Sequence, residues 1–385
     1  MIEKYYNGVI EQVAGGIGNV EHNSILVRYS NDFSIWDLES VNHYKDQTDI
    51  FFTCHEFSYN KIAEAYEPYL GLIRQMFHKY CSGTLEEFME ECDVYKLQRP
   101  VFESYFEKGF CERTEQILID EVEYEQERMH SSIVTMLQKL SEICPIVIVL
   151  NRFQLASKST MQLTNRLLQT KNKNIGIVLG VNDVQSIPEF AHEEWDAICE
   201  SMDDRNMVYH IGNAGRNMEP DVMDYYSDYE SEEGYRKLNN LVYFLDFDQA
   251  DHHLGKIERR IKFDNFTISE KKHYQILLLQ IMVSVLQRDI AKALESCEDL
   301  EKLQDQEKEG AFYYNFWMAT SYMYLGKLEE AMIYVQKAKE CGEALGDDFL
   351  VFRAELLKAQ NQMSGWCNIF FCAQDIEISD KLIEK

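Results

Sequence analysis

The chain has 385 residues, 45% of them hydrophobic and 12% aromatic, enough for two or three domains with cores of their own and too apolar for a disordered polypeptide. Its 66 acidic and 38 basic side chains leave a net charge of −28. A surface of that sign repels phosphate backbones and anionic lipid, which excludes nucleic acid and membrane as main partners; the densest cationic run, Lys256 to Lys262, is broken by Glu258.

In chain order, Gly8 to Ala14 (GVIEQVA) predicts a strand that runs into Gly15, Gly16, Ile17 and Gly18. Asp49 to Cys54 (DIFFTC) predicts a second strand, and Ile62 to Lys79 a long helix, with further helical stretches to about Leu140. Pro145 to Leu150 (PIVIVL) is the strongest strand signal. It is β-branched, lacks polar alternation and opens on a proline, as a central parallel strand covered on both faces requires. Thr160 to Thr170 predicts a helix, Ile175 to Val181 (IGIVLGV) the next buried strand, and Met207 to Ile211 a shorter one. Strands alternating with amphipathic helices over residues 1–215 predict an α/β domain, a parallel sheet with flanking helices. Residues 216–235 include the acidic, Tyr- and Ser-rich run MDYYSDYESEEGY, which has no usable period and predicts a solvated linker or loop.

Residues 236–385 predict helices throughout. Tyr314 to Glu343 carries Ala319, Tyr322, Gly326, Ala331 and Ala338: a small residue and an aromatic in one helix, a turn glycine, then two small residues in the next. Small side chains let antiparallel helices approach closely, and the spacing resembles one tetratricopeptide repeat. Weaker copies lie over Lys272 to Leu303, with Ala293, and over Lys237 to Lys262, with Ala250; the alanine spacings of 38 and 43 exceed the regular repeat of ~34. The expectation is an all-α, tetratricopeptide-like solenoid of irregular helical pairs, with a last pair over Asp348 to Lys385. A generic helical bundle is the alternative.

A phosphate-binding loop needs glycines for its turn, a Lys for the β and γ phosphates and a Ser or Thr on Mg²⁺. Against the pattern GxxGIGK[ST], Gly16-Ile17-Gly18 match, the first glycine falls on Val13, and the Lys and Ser/Thr positions hold Asn19 and Val20. Further on, Val147 to Met161 (VIVLNRFQLASKSTM) resembles the Walker B segment of the STAND class of signalling ATPases, hhhhDDhQWADxxSL. Phe153, Gln154, Ala156 and Thr160 match or nearly match, while the two acidic positions hold Asn151 and Arg152. Ile177 to Asp183 falls where the class has its sensor strand, and Tyr66-Glu67-Pro68-Tyr69 is also similar. The order of these segments, continued by helical pairs, carries the resemblance.

That resemblance implies a degenerate P-loop NTPase-like domain. Asn carries no charge to anchor Mg²⁺, and Arg puts a positive charge where a base is needed, so phosphoryl transfer loses its stabilisation. The expected protein is no enzyme and holds no cofactor. It is a pseudo-ATPase of regulatory or scaffold type that binds protein partners, self-association included, through its helical repeats. The alternative is a nucleotide-dependent signalling switch that still binds ATP or ADP through an atypical P-loop.

Other constellations favour plainer readings. His252 and His253, beside Asp248 and Asp251, point in different directions and predict a solvated helix start rather than a metal site. Cys54-His55-Glu56 ends a strand, where neighbours alternate in direction and do not face each other as nucleophile and base. Glu121, Glu123, Glu125 and Glu127 read as a wet helix face. Arg205 stands where the resemblance implies a nucleotide-sensing arginine, and Tyr225, Tyr226 and Tyr229 read as an exposed loop. Ten scattered cysteines without a CxxC pair, a first segment without a basic or apolar signal, and no apolar run of ~20 residues predict a cytoplasmic protein with reduced thiols.

Overall fold

The computed structural model describes residues 2–18, 23–30, 34–45, 49–111, 122–170, 172–182, 187, 191–203, 207–211, 227–263 and 267–366. Five strands, β1 (Ser24–Tyr29), β2 (Phe51–Glu56), β3 (Ile146–Asn151), β4 (Ile175–Asn182) and β5 (Val208–Ile211), form one parallel sheet in the order β2-β3-β4-β1-β5. Every residue of β3 and β4 is buried, which accounts for their unbroken apolar runs, since both faces are covered. The register sets Asn151 opposite Glu56 on one side of β3, and Leu150 opposite Leu179 on the other. β3 and β4 lie between β1 and β2 although they follow both in sequence, an order consistent with a P-loop-like α/β fold. In open sheets of this kind ligands bind beyond the C-terminal ends of the strands.

The strand expected over Gly8 to Ala14 does not exist. Those residues are the second half of α1 (Ile2–Gly15). Tyr6, Val9, Ile10, Val13 and Ala14 are buried, a three-and-four spacing that draws one apolar stripe along a helix, and the stripe packs on β1, β3 and β4. The apolar heptapeptide looks like a strand only when it is cut off from Tyr6. The edge of the true first strand, SILVRY, begins after the glycines rather than before them.

A short α2 (Glu39–Lys45) follows β1. Between β2 and β3 run α3 (Tyr69–Tyr80), α4 (Leu85–Glu91), α5 (Arg99–Lys108) and α6 (Val122–Ile143). The helix expected from Ile62 starts only at Tyr69, because Tyr66, at φ 57°, and Pro68 stand before it. Helix α7 (Lys158–Thr170) joins β3 to β4, and α8 (His192–Asp203) joins β4 to β5.

Two compact units divide the chain, 1–250 and 251–385. Helix α9 (Glu232–Tyr243), capped by Ser231, belongs to the first, and α10 (Phe247–Phe263) spans the division. The second unit is a run of packed helices: α11 (Glu270–Leu286), α12 (Ile290–Glu301), α13 (Gly310–Tyr324), α14 (Leu328–Leu345) and α15 (Asp348–Trp366), each packed on the next. Ala293, Ala319, Ala331 and Ala338 are wholly buried where these helices meet. Gly326, at φ 72°, turns the chain between α13 and α14, and Tyr322 stacks on Tyr334 with centroids 5.5 Å apart. Ala250 is also buried.

Candidate functional site

The C-terminal edge of the sheet is built from the ends of β1, β2 and β3. Arg152 follows β3 in a left-handed conformation, φ 54°, and its Nη1 lies 2.8 Å from Glu56 Oε1 at the end of β2. The other carboxylate oxygen, Glu56 Oε2, accepts from the Ile35 backbone N–H at 3.0 Å and from Ser34 Oγ at 3.3 Å. Tyr59 lies beneath the guanidinium, 4.8 Å from ring centroid to Cζ. Glu56 therefore ties together the segment after β1 and the residue after β3, and both charges are largely removed from water, with side chains 10% and 16% exposed.

Asn151 is fully buried and serves the sheet core. Its Oδ1 accepts from the Tyr29 hydroxyl at 2.8 Å. A Cβ on Gly180 of β4 would come within 2.6 Å of that oxygen and would collide with the Tyr6 hydroxyl, so a glycine on the intervening strand makes room for this polar group. Gln154, also buried, accepts from the Asn182 N–H at 3.2 Å. Phe153, Ala156 and Thr160 are buried as well. The segment read as Walker B-like thus carries a neutral polar core with two cations, Arg152 paired with Glu56 and Lys158 paired with Asp248.

The glycines expected to face it lie elsewhere. Gly15 ends α1, Gly16 and Ile17 form a turn, and Gly18, at φ 95°, donates its N–H to the Lys173 carbonyl at 2.7 Å. Lys173 precedes β4, so this turn sits at the N-terminal edge, at the opposite end of the strands from Asn151 and Arg152. Asn19 and Val20 lie outside the described residues. The reading of Gly15 to Val20 as a phosphate cradle at the site is corrected on topology: it precedes β1 instead of following it. The connection that does leave the C-terminal end of β1, Ser30 to Leu38, contains no Gly, Lys or Arg and holds Asp32 and Asp37. The sequence signal for it was the run Ile25-Leu26-Val27, hidden behind the more conspicuous glycines.

Beside this edge lies a partly buried cluster of charged and titratable groups. His55 Nε2 is 3.5 Å from Glu67 Oε1, Glu67 Oε2 accepts from the Glu64 N–H at 3.1 Å, and Glu64 Oε2 accepts from Asn240 of α9 at 2.9 Å. Lys237, also on α9, pairs with Asp228 at 3.0 Å. Burial, then the Glu67 carboxylate, pushes Glu64 up to about 7. Burial, then Lys237, pulls His55 down to about 4. Burial also raises the Cys54 thiol. That shift works against a thiolate at Cys54.

His253 is buried rather than solvated, its imidazole held well below the ordinary value by that burial, which corrects the expected wet helix start. Tyr229 is likewise 2% exposed, while Tyr225, Tyr226 and Arg205 lie outside the described residues. Glu125 pairs with Arg128 and Glu127 with Arg166. Among the described residues no His, Cys, Asp and Glu cluster is arranged to hold a metal ion, and no helix is long and apolar enough to cross a membrane. Compared with known protein families, with curated proteins and with solved structures, the chain matches none.

Proposed function

We propose that the protein is a non-catalytic regulatory or scaffold protein, a pseudo-ATPase of the STAND type that binds partner proteins through tetratricopeptide-like helical pairs. The observation that carries the reading is the Glu56–Arg152 pair at the C-terminal edge of the sheet. Phosphoryl transfer there would need amide donors facing phosphate and a carboxylate holding Mg²⁺. Instead the Ile35 N–H and Ser34 hydroxyl serve Glu56, and the guanidinium of Arg152 is directed at the same carboxylate. An internal anion occupies the donors, and the surrounding acid residues repel an external one. Support for the protein-binding half comes from the second unit, where small buried residues let successive helices stack as an α-solenoid does.

The second reading, a nucleotide switch, predicts binding without hydrolysis. Calorimetric titration of the full chain with ATP or ADP and Mg²⁺ separates the two. No heat of binding is expected at micromolar nucleotide. Micromolar affinity that is lost in Arg152→Ala would overturn the pseudo-ATPase reading in favour of the switch.

A further inference from the structure

We propose a binding site for a small organic phosphate monoester between α3 and α5, in a cavity of about 470 Å³ lined by Gly71, Arg74, Gln75, His78, Lys79 and Tyr105. Its charge runs against that of the molecule. In a chain of net charge −28, Arg74, His78 and Lys79 gather on one helix, no carboxylate lines the cavity, and among the described residues none of the three is ion-paired. Such a patch lowers the cost of bringing a dianion to an otherwise repellent surface.

The cations are held in place rather than neutralised. Arg74 Nε and Nη2 donate to the carbonyls of Phe106 and Glu107, at 2.6 and 3.2 Å. That leaves Nη1 beside Gly109, where an added Cβ would come to 3.1 Å and where φ is +79°. The Lys79 ammonium lies over the rings of Phe51 and Tyr80, 5.5 and 5.0 Å from their centroids. The favourable interaction of cations with a helix C-terminus accounts for His78 and Lys79 in the last turn of α3; it accounts neither for Arg74, a turn earlier, nor for the space beside it.

Gly71 supplies a separate indication. It lies inside α3, where glycine is a poorer helix former than alanine. A Cβ there would meet only the Tyr105 hydroxyl, at 4.0 Å, so close packing within the fold does not demand glycine. What its bare backbone preserves is the open floor of the cavity. A fixed guanidinium, an ammonium and an imidazole suit the oxygens of a tetrahedral dianion. The remaining volume, flanked by Gln75 and Tyr105, takes a hydrophilic organic group.

Calorimetry on the full chain at constant ionic strength, with glycerol 3-phosphate, glycerol and citrate as probes, tests this, and hydrogen exchange locates the contact. Glycerol 3-phosphate is expected to bind and to protect residues 71–79 and 105–109; glycerol is expected not to bind, and citrate to bind more weakly. Lys79→Gln should weaken binding about tenfold, as loss of one charge-assisted hydrogen bond does, and Gly71→Leu, which fills the floor, should abolish it. Absence of binding, or equal binding by wild type and Lys79→Gln, overturns the site. Tighter binding of citrate overturns the phosphate assignment. Because α3 and α5 are separate from Arg152, neither result bears on nucleotide binding at the sheet edge.

Discussion

Glu64 and two histidines, His55 and His130, make stability depend on pH in opposite senses. Burial, then Glu67, keeps the Glu64 carboxyl protonated up to about 7 in the folded chain, against ~4.3 unfolded. The folded state binds the extra proton between those values, so this contribution is complete below ~4.3 and is lost as pH rises through 7. His55 and His130, pulled by burial to about 4, contribute above ~6.5 and lose that contribution as pH falls towards 4. Urea unfolding of wild type and Glu64→Gln at a series of pH values isolates the carboxyl. From about pH 5 to 8 wild type is expected to lose stability relative to the variant, and a constant difference would show that Glu64 ionises normally. At this scale part of the candidate site was legible. Asn151 and Arg152 stand out because polar side chains follow directly on the unbroken apolar run of β3. Their partners did not stand out: Glu56 pairs with Arg152 across the β2–β3 register, and Tyr29 bonds Asn151 from a strand two places away, and neither relation leaves a mark in local sequence.

The strands of the sheet differ in how plainly they announce themselves. β3 and β4 are covered on both faces, so their residues form continuous apolar runs bounded by polar ones. β1 is buried except at the half-buried Arg28, is shorter in its apolar run and ends in Arg28 and Tyr29, while α1 presents a heptapeptide whose local composition suits a strand. Only the longer period, reaching back to Tyr6, distinguishes the two. The second unit was legible for a related reason: alanines at contact positions are demanded by close helix approach, and Gly326 and Gly346 turn the chain after α13 and α14, while the turn between α11 and α12 uses Arg288 at φ 66° and leaves no glycine to read. Gly180 shows what an element must give up to accommodate its neighbours. Its replacement by Ala forces a methyl to within 2.6 Å of Asn151 Oδ1, and Gly180→Ala is expected to cost about 1–3 kcal/mol, read as a lower urea midpoint at unchanged slope. A neutral result would mean that Tyr6 and Asn151 move aside freely.

For the whole molecule, the net charge of −28 makes self-repulsion a term that salt controls. Raising ionic strength from about 0.01 to 0.15 M shortens the screening length from ~30 to ~8 Å. Thermal unfolding is therefore expected to shift upward by a few degrees over that range, whereas a surface stabilised chiefly by its ion pairs would shift downward. The contact of Tyr6 and Tyr29 with Asn151 and Gly180 sets a further condition, on synthesis. The first helix is followed closely by β1, but β3 and β4, which its apolar stripe also covers, are made only much later, so the stripe stays partly undocked until β4 has emerged. During that interval the nascent chain presents Val9, Ile10 and Val13 to water and to chaperones, and the order of translation, rather than the strength of any local element, sets the earliest moment at which this sheet closes.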